Sequence, residues 1–294
     1  MKTLIIIILK KISLFLFIIL IFSIKGFSQK TRYTDKQNID FANYLIKKEY
    51  YSDVIYLLKD LNIIDSLKDT KNYYLGLSLY NKKRLFESAN YFSKVSLNSI
   101  HYQKAHFFAS YNLLYEKKEK KAAEILDKIS VEEKYKELKA FEKSGIALLN
   151  RNLEEYSELK KEFTYSKYYL LKEEQKFDEF YTEIKNFKQK SPALAGILSA
   201  IIPGSGKMYA KKFGGGLSAL LTTGIFGLLT YENYKKAGIS NFKTLIFGSL
   251  FSVFYIGNIY GSVYAVKDYR NDFKQKMEYR ILFNMHIPLR NAFK

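Results

Sequence analysis

Three histidines, pairs of adjacent carboxylates such as Glu132-Glu133 and Glu173-Glu174, and one glycine–lysine loop are the features of this chain whose residue types could do chemistry. His101 and His106 stand five apart, which does not bring them onto one helical face, and no carboxylate–histidine pattern occurs at metal spacing; His286 stands alone near the end. Glu132-Glu133 and Glu173-Glu174 are neighbours, which point apart on a helix and belong to solvated faces. Pro203-Gly204-Ser205-Gly206-Lys207 suggests a phosphate loop. That pattern needs a glycine five residues before Gly206 and a Ser or Thr after the lysine, where the chain has Ile201 and Met208. Absence of cysteine removes disulfides, thiolate catalysis and cysteine-held metals. With no nucleophile–base pair and no polar pocket signature, the expectation is a protein without catalytic residue, cofactor or metal.

The elements behind these residues carry more information. Twelve of the fifteen glycines fall between Gly196 and Gly261, inside apolar sequence. The runs 214–231 and 244–266 are long enough to cross a bilayer, and glycine is common in membrane helices. Ala193 to Ile202 would rise only about 15 Å, so a re-entrant or interfacial helix over 192–203 is expected, ending at Pro203-Gly204. Ser191 suits an N-cap and Pro192 a first helical position, which puts a boundary there. The membrane domain is thus 192–268, and beyond it lies a basic, aromatic tail over 269–294 that suits a membrane surface or a short packed helix.

Residues 1–28 read as a signal peptide: Lys2, then apolar Leu4 to Leu9 and Ile12 to Ile24, then Gly26-Phe27-Ser28 as the cleavage site. An uncleaved anchor from Ile12 is the alternative, and either one exports the helical segment that begins near residue 29. The net charge is +19, or +15 without the leader. Anionic lipid surfaces attract such a chain. The export signal and the scattered lysines speak against nucleic acid.

From Thr31 to Ser191 there is no proline and glycine occurs only at 76 and 145, so this half reads as all-α. A shift of 34 residues aligns Ala42, Gly76 and Ser110, then Leu45, Leu79 and Leu113, then Val54, Ser88 and Ala122, with the turns Lys47-Lys48-Glu49, Asn81-Lys82-Lys83 and Tyr115-Glu116-Lys117 in step. The period and the large–small pairs Phe41-Ala42 and Leu75-Gly76 resemble the tetratricopeptide repeat. Asn38, Asn72 and His106 stand where that family has an aromatic, and Ser66, Ile100 and Lys134 where it has a closing proline. The resemblance implies an all-α, TPR-like helical-hairpin solenoid over 29–165, with a small helical transmembrane domain after it. Its concave groove would be lined by Asn43, Lys47, Tyr73, Tyr80, Phe107 and Tyr111 and would hold a protein or peptide. A connecting amphipathic helix is expected over 166–191, with Tyr168, Leu171, Phe177, Phe180, Tyr181, Ile184 and Phe187.

Pro203, Gly204, Gly206 and Tyr209, with the later cluster Gly214 to Gly216, resemble the small glycine-rich TM2-like membrane domains of bacterial envelope proteins. Tyr255-Ile-Gly-Asn-Ile-Tyr-Gly-Ser-Val263 with the later Tyr269-Arg270 is similar to the last helix of a related domain sometimes fused to a membrane-protein-insertion efficiency factor. Lys207 stands where those domains carry glutamine. Gly257, Gly261 and Ala265 form a small-residue ridge for helix packing and self-association, and Asn258 is read as helix–helix glue. Segment length favours two spans and charge bias favours three. The resulting expectation is a non-catalytic adaptor or scaffold in the bacterial inner membrane, its repeats in the periplasm, its partners an envelope protein or peptide and membrane lipids. A membrane-active component assisting protein insertion or small-solute passage is the alternative.

Overall fold

The computed structural model describes residues 33–293, with helices and no strand among the described residues. The expected leader lies outside them. Eight helices build the first half: α1 (Asp35–Lys47), α2 (Tyr51–Leu58), α3 (Asp65–Asn81), α4 (Leu85–Phe92), α5 (Tyr102–Tyr115), α6 (Glu119–Lys128), α7 (Lys136–Leu149) and α8 (Leu153–Leu159). Thr34 opens α1 with a capping box, its hydroxyl accepting from the Gln37 amide while the Gln37 side chain returns to the Thr34 amide.

Each odd-numbered helix ends in the same turn. Glu49, Lys83, Lys117 and Arg151 take positive φ of 62°, 62°, 56° and 60°. The next amide then closes on the helix: Tyr50 to the Leu45 carbonyl, Arg84 to Leu79, Lys118 to Leu113 and Asn152 to Ala147, each at 2.9 Å. This is the left-handed C-terminal cap, held four times at a 34-residue interval by residues other than glycine. The close crossings also recur. Ser88 Oγ donates to the Gly76 carbonyl at 2.6 Å, and Ser110 Oγ to the Ala122 carbonyl at 3.0 Å. A Cβ on Gly76 would come within 2.5 Å of the Phe92 ring, so the small residue is what lets α4 approach α3.

The connecting helix is shorter than expected. It is α9, Leu171–Asn186, and Tyr168 lies before it, 97% exposed. Phe177 and Phe180 bury as expected, Phe177 stacked on Phe141 at 4.3 Å.

The second half has four helices: α10 (Pro192–Ile201), α11 (Ser205–Tyr209), α12 (Phe213–Ala237) and α13 (Phe242–Ala292). Ser191 caps α10, its hydroxyl accepting from the Leu194 amide at 3.3 Å with Pro192 at the first position. Helices α12 and α13 are long and apolar enough to cross a membrane, and only 11% of each apolar window is buried. That exposure distinguishes them from core helices of a water-soluble domain. One sequence expectation changes here. Residues 269–294 are not a separate tail but, to Ala292, the continuation of α13, a 51-residue helix. The reason is a ridge at intervals of four: Met277, Ile281, Met285 and Leu289 all bury in the core of the first half. The α10 segment is short, as expected, because the chain reverses after Ile202.

Candidate functional site

Two constructions join the halves, and the first is the groove. The residues expected to line it for a partner are occupied by the chain itself. Tyr73 is buried, stacked on His101 at 3.9 Å and 3°. Phe107 is fully buried, 5.8 Å from the Phe293 ring. Tyr111 is buried against His286, the rings 4.8 Å apart and 11° from parallel. Half-buried Tyr80 hydrogen-bonds through its hydroxyl to His286 Nε2. Lys104 Nζ donates to the Phe293 carbonyl at 3.0 Å. Gly145 makes room for Met285: a Cβ there would lie 2.5 Å from Sδ. So four of the six expected partner residues pack around the C-terminal segment of α13 or the core beside it. Asn43, half-buried, and Lys47, exposed, remain on α1 next to the stacked, exposed pair Phe41–Tyr44.

Burial, with Arg290 and Lys83 nearby, takes the His286 imidazole down to about 4, so it is neutral at neutral pH. A cleft of about 400 Å³ opens beside it, lined by Tyr80, Lys83, Tyr111, Tyr115, Tyr279 and His286. Behind Tyr111 lies Glu142, fully buried on α7 with its Oε1 lacking a hydrogen-bond partner. Burial holds that carboxyl well above the usual carboxylate range. On α9, burial and the neighbouring Glu137 push Glu174 up to about 8, and the two carboxyl groups accept from the backbone amides of Tyr165 and Thr164. No group of three or more His, Cys, Asp or Glu placed to hold a metal occurs among the described residues.

The second construction is the helical reversal at Gly204. Helix α10 descends along α13, the chain reverses at Gly204 with φ +87°, and α11 climbs back until the Tyr209 hydroxyl accepts from the Ser191 amide at 3.1 Å. Asn258 of α13 holds the tip. Its Oδ1 accepts from the Gly204 amide at 2.9 Å and its Nδ2 donates to the Ser199 carbonyl at 3.1 Å. Ser199 Oγ, within 2.6 Å of Ser262 Oγ, also accepts from the Gly206 amide at 2.9 Å. A Cβ at Gly204 would meet the Gly216 carbonyl oxygen at 1.9 Å, and one at Gly206 the Ala195 carbonyl at 2.0 Å, so both positions need glycine. Tyr255 donates to the Ala200 carbonyl at 2.7 Å.

Of the expected ridge Gly257, Gly261 and Ala265, Ala265 is the member that packs. Gly257 faces open space and Gly261 abuts only the Lys207 side chain, while the face packed on α10 carries Asn258, Ser262 and Ala265. The two glycines flank that face without lying on it. Pro203 is half-buried at the turn. What sequence reasoning missed is His286 and Glu142 as partners of the groove. The four-residue spacing of Met277, Ile281, Met285 and Leu289 was the available signal for a buried helix there.

Comparison with protein-family models, with curated proteins and with solved structures finds no match to this chain.

Proposed function

We propose that this chain is a membrane-anchored, non-catalytic scaffold in which a TPR-like helical stack is held rigidly on a two-span membrane module. One observation carries the reading: α13 is apolar over its first half and buried in the core of the helical half over 277–289. A helix continuous through both environments transmits position without a flexible linker. The recurring left-handed turns at 49, 83, 117 and 151 support the TPR-like assignment, and the re-entrant α10–α11 turn supports the TM2-like one. Because its own segment fills the groove, the partner surface moves to α1, where Phe41, Tyr44 and Lys47 are exposed.

Under this reading the helical half and the end of α13 share one side of the membrane. The leader makes that side the periplasm of an inner-membrane protein. One observation favours the opposite orientation: Lys190, Lys211, Lys212, Lys267 and Arg270 gather on the helical half's side, against Lys235, Lys236 and Lys243 at the far loop. Basic residues collect on cytoplasmic sides. Labelling a single cysteine at exposed Tyr56 with an impermeant maleimide in intact spheroplasts decides between them. The scaffold function is tested by a photo-crosslinker at Tyr44 and purification in detergent. One reproducible envelope protein, lost on Phe41→Ala and Lys47→Glu, is expected. Loss of function on Asn258→Leu with anchoring and crosslinked partners unchanged would instead favour a membrane-active component.

A further inference from the structure

The re-entrant turn carries one cation without a counterpart. Lys207, on α11, is half-buried, and its stem lies in the crease between α12 and α13. Two glycines shape that crease. A Cβ at Gly261 would lie 3.2 Å from Lys207 Cε and 3.5 Å from Nζ, and one at Gly215 would lie 3.9 Å from Cδ. The neighbouring basic residues are otherwise engaged. Lys212 pairs with Asp268 at 2.7 Å, Lys267 lies over Tyr264 at 5.0 Å, and Lys190 donates to the Tyr209 carbonyl. Among the described residues Lys207 Nζ has neither a hydrogen bond nor a carboxylate.

Gly261 lies seven residues inside Asp268 on α13, a depth of about 10 Å along the helix axis. The two helices that form the crease expose large side chains beside these glycines in sequence: Phe213 and Leu217 on α12, Tyr260 and Tyr264 on α13. An ammonium at that depth, beside side chains that suit acyl chains, calls for an anion supplied from the bilayer. Lysine serves phosphate as a point charge and needs no fork geometry to do so.

We infer that the crease formed by Lys207, Gly215 and Gly261 is a site for the phosphate of an anionic phospholipid headgroup. The inference rests on the reading of α12 and α13 as membrane spans. The lipid would close the ring of helices at the base of the module and fix the depth of the re-entrant turn. Lys211, exposed one turn beyond, adds long-range attraction for the same headgroup.

The test uses the full chain in neutral maltoside micelles and native mass spectrometry. Phosphatidylglycerol and phosphatidylcholine of identical acyl chains are added at equal concentration. We expect about fivefold greater retention of phosphatidylglycerol, the factor one buried-edge lysine supplies. Lys207→Met and Gly261→Val should abolish the preference, and Lys235→Met at the far loop should leave it unchanged. Helical circular dichroism establishes folding, and Lys207→Gln replaces Lys207→Met if the latter fails it. Equal retention of both lipids by the unaltered chain, or a preference that survives loss of Lys207, overturns the inference. Abolition of the preference by equimolar inorganic phosphate assigns the crease to a free anion and overturns the lipid. A chain that enters no micelle at all refutes the membrane reading itself, a separate outcome.

Discussion

Filling the gap at Gly145 is the sharpest perturbation of the joint between the two halves. A Cβ at that position would sit 2.5 Å from Met285 Sδ, 2.8 Å from Cε and 2.9 Å from Cγ, where ordinary contacts lie at about 3.5–4.0 Å. Gly145→Leu therefore drives Met285 out of its place or lifts α13 from the groove. Overpacking of this kind costs about 1–3 kcal/mol, against which the better helix propensity of leucine returns less than about 1 kcal/mol. Met285→Ala alone empties a fully buried position, at a cost of about 2–5 kcal/mol. In the double variant the leucine occupies the space the methionine vacates. The two losses should then fall short of additive by about 1–2 kcal/mol, the coupling expected of residues in contact. Thermal unfolding of the detergent-solubilised chain, monitored by circular dichroism, reads this as a double variant melting a few degrees above the additive expectation. Strict additivity would mean that Met285 does not sit on Gly145, and the filled groove would be wrong.

Three further perturbations probe the same geometry. Asn258→Leu leaves the buried Gly204 amide and Ser199 carbonyl without the partner amide, and should lower stability by about 1–3 kcal/mol in a thermal melt while both long helices still enter the membrane fraction. Gly204→Ala combines a positive φ with a Cβ 1.9 Å from a backbone oxygen that cannot rotate away; folded protein recovered from membranes should fall sharply, far more than for Gly257→Ala, which meets nothing. Glu142→Met should stabilise most at alkaline pH. The folded carboxyl holds its proton to a higher pH than the unfolded one, so stability is lost as pH rises above the ordinary glutamate range. The variant lacks that slope, and equal slopes for both proteins as pH rises above the ordinary glutamate range would contradict the assignment.

The helical halves were legible because their signals are local. A 34-residue interval of small and apolar residues, and turns rich in charge, arise from packing each helix on its neighbours. Ser191 and Pro192 marked a helix start that the structure keeps. The short apolar run before Pro203 announced a segment that turns back. What was not legible is where α13 goes after Asp268. Its basic residues point to a surface, and the apolar ridge at intervals of four says only that something covers it. That the cover is the groove of α3, α5 and α7 depends on contacts more than a hundred residues distant, such as Tyr80 with His286. For the same reason Tyr73, Phe107 and Tyr111 looked like a vacant binding surface. Aromatic residues that line a groove and those that bind an intramolecular helix have one sequence signature. Gly257 shows the smaller version of this limit, since a spacing of four fixes a helix face but not which neighbour it meets.

The most direct test uses the absence of cysteine in the chain. Gly145→Cys and Met285→Cys together place two thiols where a Cβ at position 145 would lie against the Met285 side chain, and a mild oxidant is applied to membranes washed with carbonate. The account predicts a chain that stays in the pellet and forms an intramolecular disulfide between those two positions, with neither single variant crosslinking. Recovery in the carbonate supernatant, or crosslinks found only between separate chains, would contradict a scaffold whose membrane helix locks its own groove.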